Sequence, residues 1–297
     1  MMSELPHDLV RTLLAVVDEG TFDAAASVLH VTPSAVSQRV KALEQRTGRV
    51  LVTRTKPVGA TASGQVVVRF ARQLARLESD ARSALGMDDG GEHPRLSIAV
   101  NADSLATWFL PALAALAHDA GICFDLRRED EGHTTELLRE GEVMAAVTSS
   151  PDAVAGCSVR RLGSMAYLPV AAPEFAARWL SGELEVLLPA APLVCFDRRD
   201  ELQDTFVREL TGGRGASALR HCVPSNEGFA DAVTAGLGWG LVPRSQAEPR
   251  LRSGALVGFA PGRSLRVPLY WQQWRLDSPA LAAVAEAVTA AAARSLD

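Results

Sequence analysis

Residues 21–64 constrain this chain more than any other part: TFDAAASVLHVTPSAVSQRVKALEQRTGRVLVTRTKPVGATASG. The segment TFDAAASVLH predicts a helix whose small side chains, Ala24, Ala25 and Ala26, let a neighbouring helix approach closely. A tight turn at Val31 follows. Thr32 then offers a hydroxyl that can accept from a free backbone N–H in the next helical turn. Pro33 stands at the first helical position, where a missing N–H costs nothing. Val36, Val40 and Leu43 recur at helical spacing, so one face of this second helix packs inward. Ser34, Ser37, Gln38 and Lys41 fall on the opposite face. Short hydroxyls and an amide near a helix N-terminus are groups that read base edges in a major groove. A basic, hairpin-like segment with Arg49, Arg54 and Lys56 comes next. The pattern is that of a winged helix-turn-helix, and it implies contact with double-stranded DNA. The plain alternative is a solvated helical hairpin; the capped second helix and the basic segment favour DNA. Leu13, Val16 and Val17, on a helix expected over 8–18, extend the same core.

At 297 residues the chain exceeds a DNA-binding module, and two or three compact units are expected. Charge is unevenly divided: residues 1–86 carry a net +3 and the remainder a net −8. A local basic surface is sufficient for DNA in an acidic protein, and the acidic remainder argues against a second nucleic-acid domain. Cys123, Cys157, Cys195 and Cys222 form no CxxC pair, so buried apolar thiols are expected rather than a metal site or disulfides. The start, MMSELPHDLV, lacks the basic-then-apolar pattern of a signal peptide. No apolar run approaches the roughly 18 residues of a membrane span. The expectation is a cytoplasmic protein with no membrane partner.

Residues 62–85 read as one long helix. Phe70, Leu74, Leu77 and Ala81 form a heptad-like seam suited to a second helix, or else one face of an ordinary amphipathic helix. GMDDGGEHP reads as a linker. Beyond it, strands alternate with helices: RLSIAVNADS, a helix near 104–119, GICFDLRRED, TTELLREGE, VMAAVTSS. That alternation predicts parallel βαβ units. MAYLPVAA, APLVCFD, WGLVPRS and RVPLYWQQW are further strands. SNEGFADAVTAGLG and residues 279–296 are further helices. The C-terminal 200 or so residues are therefore α/β, in two small lobes.

In open α/β lobes, ligands bind beyond the carboxyl ends of strands, where helix N-termini offer free N–H groups to an anion. Three loops qualify: Asn101-Ala102-Asp103-Ser104, Thr148-Ser149-Ser150 and Ser225-Asn226-Glu227-Gly228. Ser104 and Thr148, with backbone amides, suit a carboxylate. Asp103, Asp130, Asp197 or Glu227 suit an ammonium or guanidinium. Alternatives stand beside each: Asp103 or Ser104 as a helix cap, Asp197 neutralised by Arg198 and Arg199, Glu227 as a first-turn acid. Trp108 lines the cleft or packs in the core. Asp130 with His133 reads as a solvated loop pair before it reads as a metal or acid–base site. GLGWG lacks the dinucleotide spacing and precedes a strand. There is no GxSxG and no HExxH. No catalytic residue, metal or cofactor is expected, and an enzyme survives only as fold analogy.

The block AAASVLHVTPSAVSQRVKALEQRTG…L…R…ATASG resembles the signature segment of the LysR-type transcriptional regulators, and the resemblance extends over nearly the whole chain. It implies an α+β multidomain protein. An N-terminal winged helix-turn-helix would occupy residues 1–61, and a linker and dimerisation helix with its hinge 62–90. A two-lobed α/β, periplasmic-binding-protein-like effector domain would occupy 91–297. Lobe I would comprise about 91–162 and 267–297, and lobe II about 163–266. VTPSAVSQRVKALE, VNADSLATWF and VPLYWQQWRLDSP further resemble the ArgP/LysG subgroup. That resemblance implies lysine or arginine as effector and control of an amino-acid exporter gene. The alternatives are a DNA-coating inhibitor of replication initiation and a LysR-type regulator of another small metabolite. Carried onto this sequence, the family pattern makes Thr32 a cap and phosphate ligand and sets Pro33 beside the DNA. Ser34, Ser37 and Gln38 would meet bases, and Arg39, Lys41 and Arg54 would meet phosphate. Arg39 lies along the protein surface in the alternative. From the strand-end loops and their neighbours, Asn101, Asp103, Ser104, Trp108, Asp130, Thr148, Ser149, Asp197 and Glu227 are the residues expected around the effector. The implied partners are double-stranded DNA, the effector and further copies of the chain in a homodimer or homotetramer. RNA polymerase is a further candidate partner.

Overall fold

The computed structural model describes residues 5–53, 55–87, 95–119, 122–129 and 134–297. Arg54, Asp130, His133 and residues 88–94 of the expected linker lie outside the described residues. The N-terminal unit contains α1 (His7–Glu19), α2 (Phe22–Val28) and α3 (Pro33–Thr47). Each start has a local cause. Thr21 Oγ1 accepts from Ala24 N at 3.1 Å and caps α2. Thr32 Oγ1 accepts from Ala35 N at 3.2 Å and caps α3, with Pro33 just inside. Leu13, Val16, Ala25, Ala26, Val36, Val40 and Leu43 are buried together, and Val17 packs half-buried against them. Leu51, Val52 and Val58 complete this core from a short wing, in which Val52 pairs antiparallel with Ala60. The Glu44 carboxylate accepts from Leu51 N at 2.8 Å and ties the wing to α3.

α4 (Ala62–Ala84) begins at the Thr61 cap and adds Val67, Val68 and Ala71 to the same core. Its other faces diverge. Gln65 Nε2 donates to Glu140 Oε1 at 3.1 Å, so the helix leans on the C-terminal unit. Val66, Phe70 and Leu77 are exposed. Leu74 is half-buried and Ala81 is exposed, so the expected seam is largely uncovered in the single chain.

In the C-terminal unit β1 (Arg95–Val100) leads into α5 (Ala102–Ser104), which continues through a π-helical turn, Leu105–Phe109, into α6 (Leu110–Asp119). Then come β2 (Cys123–Arg128), α7 (Thr134–Glu140) and β3 (Ala145–Thr148). β1 pairs parallel with both β2 and β3, as the βαβ alternation predicts. The next strand is longer than MAYLPVAA suggests. β4 spans Cys157–Ala171 and pairs antiparallel with β9 (Leu265–Trp274) from Cys157 to Tyr167. The polar run CSVRRLG carries no apolar alternation, so only the pairing with β9 shows it to be strand. The main sheet is consequently mixed, in the order β2-β1-β3-β9-β4-β7 with β8 also on β4.

Between β4 and β9 lie α8 (Pro173–Trp179), α9 (Leu184–Leu187), β5 (Leu193–Cys195), α10 (Leu202–Thr211) and β6 (Arg220–Cys222). α11 (Asn226–Thr234), β7 (Gly240–Pro243), α12 (Arg244–Arg252) and β8 (Val257–Gly258) follow. α13 (Pro279–Ser295) closes the chain against α6. β5 and β6 pair parallel as a small second sheet. Arg220 donates to both oxygens of Asp204, at 2.7 and 2.8 Å, and so binds β6 to α10. One expectation about cysteine is corrected: Cys157 and Cys195 are buried, but Cys123 and Cys222 are exposed. No described helix is long and apolar enough to cross a membrane.

Gly64 is where α4 crosses the wing most closely: a Cβ there would lie 1.9 Å from the Leu51 carbonyl oxygen. Gly64→Ala should therefore destabilise the N-terminal unit by about 1–3 kcal/mol, outweighing the better helix propensity of alanine. Denaturant unfolding checks this, and a more stable variant would show that the wing can yield.

Candidate functional site

The exposed face of α3 gathers most of the polar residues expected to face DNA. Thr32, Pro33, Ser34, Ser37, Gln38 and Lys41 are exposed, while Arg39 is half-buried. Val36, Val40 and Leu43 are buried beneath them and hold the helix in place. The Thr32 and Ser34 hydroxyls stand 3.0 Å apart at the helix start. Arg49 and Lys56 are exposed at the adjoining wing.

A cleft of about 410 Å³ lies between the lobes, within the roughly 300–1,000 Å³ usual for small-molecule sites. Lobe I contributes Asn101, Ala102 and Asp103 from beyond β1 and Glu129 from beyond β2. Tyr167 comes from β4. Lobe II contributes Phe196, Asp197, Arg199, Asp200 and Glu201 from beyond β5, with Asn226 and Phe229 from α11. The walls thus stand at strand carboxyl ends.

Asp103 is the centre of this cleft. Tyr167 Oη donates to its Oδ2 at 2.5 Å, and Asn226 Nδ2 donates to its Oδ1. Gln246 Nε2, from α12, donates in turn to Asn226 Oδ1. A lobe I carboxyl is thereby held by a residue of the first turn of a lobe II helix. Arg128 stacks 5.9 Å from the Phe196 ring and makes a second bridge between the lobes. Burial pushes the Asp103 carboxyl up to about 6, and the charge of Asp200 adds to the rise. The bonds from Tyr167 and Asn226 pull it back only in part. Asp200 is also raised, first by burial. Among the described residues, the carboxyls of Asp103, Glu129, Asp197, Asp200 and Glu201 face one lining guanidinium, Arg199. An acidic, partly apolar cleft of this kind suits a small organic cation.

The structure divides the loop residues singled out in the sequence. Asn101, Asp103 and Asp197 line the cleft; Ser104, Trp108, Thr148, Ser149 and Glu227 do not. Asp197 also shapes its own turn, accepting from Arg199 N at 2.6 Å and Asp200 N at 3.1 Å. Thr148 is buried, and its hydroxyl accepts from Ser150 N at 3.1 Å. Trp108 is buried edge-on against Phe109, at 5.8 Å between ring centroids. Ser104 is buried and its hydroxyl has no partner among the described residues. Ser225 caps α11, accepting from Gly228 N at 3.2 Å, which leaves Asn226 at the cleft and Glu227 exposed. Sequence reasoning passed over Tyr167 and Asp200, and named Asn226 only as a member of a candidate loop. Asn226 is adjacent to a residue it chose, and helix phase was the missing signal. Tyr167 lies mid-strand, with no local sign of its role.

The profile of the LysR substrate binding domain matches residues 89–293, and that of the bacterial regulatory helix-turn-helix protein, lysR family, matches residues 7–65. The chain belongs to the LysR family of DNA-binding transcription regulators. It is similar to the lysine export transcriptional regulatory protein LysG of Corynebacterium efficiens: 47% identical over 286 residues, covering 96% of this chain and 97% of that protein. It is also similar to the crystal structure of ArgP from Mycobacterium tuberculosis, with a TM-score of 0.92 and 46% identity over 99% of both chains. Full-length LysG from Corynebacterium glutamicum with bound effector Arg gives a TM-score of 0.84 and 41% identity, covering 98% of this chain and 99% of that one.

The bond from Tyr167 favours the ionised form of Asp103. Tyr167→Phe should therefore raise the Asp103 pKa above about 6. A carboxyl-carbon NMR titration reads this directly; an unchanged midpoint would remove Tyr167 as a determinant of that charge.

Proposed function

We propose that this regulator senses a basic amino acid, arginine or lysine, in the cleft around Asp103, and controls an amino-acid exporter gene from the cytoplasm. One observation carries the reading: the half-buried Asp103 carboxyl, held across the seam of two lobes by Asn226, lies in a cleft lined by four further carboxyls, Glu129, Asp197, Asp200 and Glu201. An ionised carboxylate in that position is costly unless a cation accompanies it. A guanidinium or ammonium supplies the cation and donates to carboxylate lone pairs that Tyr167 and Asn226 leave open. The relatives support this choice, since one carries lysine export in its name and another was solved with bound Arg.

Residues 1–61 bind DNA in this reading, residues 62–90 link and dimerise, and residues 91–297 bind the effector. Lobe I takes about 91–162 and 267–297, and lobe II takes the chain between. The exposed Val66, Phe70 and Leu77 of α4 pair with a second copy, in a homodimer or a homotetramer. Two α3 helices then meet half-sites spaced by roughly 34 Å or a multiple of it. Ser34, Ser37 and Gln38 read bases, and Lys41 meets phosphate. The effector draws on the Asp103–Asn226 contact and so favours one lobe arrangement over another; without such a difference in affinity it would shift nothing. The altered assembly then presents a different surface to RNA polymerase.

Calorimetry of the full chain with arginine, lysine and glutamate tests the effector. The basic amino acids should bind and glutamate should not. Asp103→Asn should weaken arginine at least tenfold and leave DNA binding intact; unchanged arginine affinity would take Asp103 out of the site. The pH dependence has a definite sign. Asp103 must lose its proton to meet the cation, so arginine affinity should level off above pH 6. Below that it should fall by about tenfold per unit, down to the lower pKa of the complex. For the DNA face, Gln38→Ala should cost about 1–3 kcal/mol on the preferred site and little on random duplex. Equal losses on both would assign Gln38 to the backbone rather than to bases.

A further inference from the structure

Two thiols meet directly behind the cleft wall of lobe II. β5 and β6 pair in register as Leu193 with Arg220, Val194 with His221 and Cys195 with Cys222. Registered residues on neighbouring strands project to the same face. The Cys195 and Cys222 sulfurs accordingly lie 3.3 Å apart, each as a free thiol. Paired strands are about 4.8 Å apart, inside the roughly 4.4–6.8 Å over which a disulfide spans two Cα atoms. Bonding the sulfurs requires local side-chain adjustment, not a rearrangement of the strands. The two thiols differ in access, since Cys222 is exposed and Cys195 is buried.

The location gives the pair a consequence. Cys195 ends β5, and the next residues, Phe196 to Gln203, form a wall of the cleft. Cys222 ends β6 and leads within four residues to Asn226, the partner of Asp103. Val223 N donates to the Cys195 carbonyl at 2.9 Å, so the two strand ends are already joined by backbone at that level. A covalent link between the side chains would prevent them from separating.

We propose that Cys195 and Cys222 form a reversible oxidation site for a small hydroperoxide, and that the resulting disulfide stiffens the lobe II wall of the cleft. The Cys222 sulfur, as thiolate, attacks one peroxide oxygen. The O–O bond breaks, and the departing oxygen takes a proton and leaves as water or alcohol. Cys222 is then a sulfenic acid. The Cys195 sulfur attacks that sulfur and gives up its proton, and the hydroxyl leaves as water. Two electrons pass from the thiols to the peroxide, and one S–S bond replaces two S–H bonds. A small dithiol reverses the change. Burial, with Cys222 and Asp200 nearby, pushes the Cys195 thiol up to about 12. The division of labour follows: Cys222 meets the oxidant, and Cys195 reacts only with the sulfenic acid formed against it.

The test uses the full chain with Cys123→Ser, which removes the other exposed thiol and leaves three of the four cysteines. After stoichiometric hydrogen peroxide, thiols titrated in denaturant should fall from three to one. A peptide joined through Cys195 and Cys222 should appear in the mass spectrum and vanish with dithiothreitol. Amide hydrogen exchange over residues 196–203 should slow at least threefold on oxidation. Adding Cys222→Ser should abolish both changes. Adding Cys195→Ala instead should halt the reaction at a sulfenic acid that dimedone traps on Cys222. The proposal is overturned if Cys222 ends as a sulfinic acid or an intermolecular disulfide while Cys195 stays a thiol. It is equally overturned if the link forms and exchange over 196–203 is unchanged. Neither readout needs an effector, so both stand apart from the arginine assignment.

Discussion

The antiparallel pairing of β4 with β9 holds the C-terminal unit together. The two strands run side by side through both lobes, from Cys157 opposite Trp274 to Tyr167 opposite Leu265. β3 joins β9 on one side, and β7 joins β4 on the other. Each lobe therefore grows from the same pair of strands, and the cleft is the space left where their sheets part. Tyr167 belongs to this shared strand, and its hydroxyl reaches Asp103 from there. A residue on the common framework thus orients the carboxyl at the seam.

Two opposed effects meet at Asp103. Burial favours the neutral acid, while the hydrogen bonds from Tyr167 and Asn226 favour the carboxylate. Their balance leaves Asp103 titrating at about 6, above the ordinary carboxylate range, so a change in surroundings alters its charge closer to neutral pH than for a free carboxyl. An arriving cation is such a change, and so is separation of Asn226 from Asp103. In the proposed reading, charge state, effector occupancy and lobe contact are therefore linked at one side chain.

The N-terminal unit was largely legible before any coordinates, because its rules are local. Thr32 caps and Pro33 follows within a few residues of each other, and Val36, Val40 and Leu43 are buried at the spacing that marked them. The cleft was legible in outline only. Two of the three candidate loops border the cleft, through Asn101, Asp103 and Asn226, and the Thr148–Ser150 loop does not. The choice between Asn226 and Glu227 depended on where the Ser225 cap starts the helix. The fates of Ser104, Trp108 and Thr148 depended on what packs over them.

The sequence by itself determined the helix-turn-helix, the long helix after it and the alternation of strands and helices, since short-range periodicity and caps encode these; the family came from the resemblance of whole segments. Only the tertiary structure decided that Tyr167 and Asn226 converge on Asp103, across separations of 64 and 123 residues. It also decided that Cys195 and Cys222 stand in register. Contacts at such separations depend on strand order and lobe closure, which no local pattern specifies.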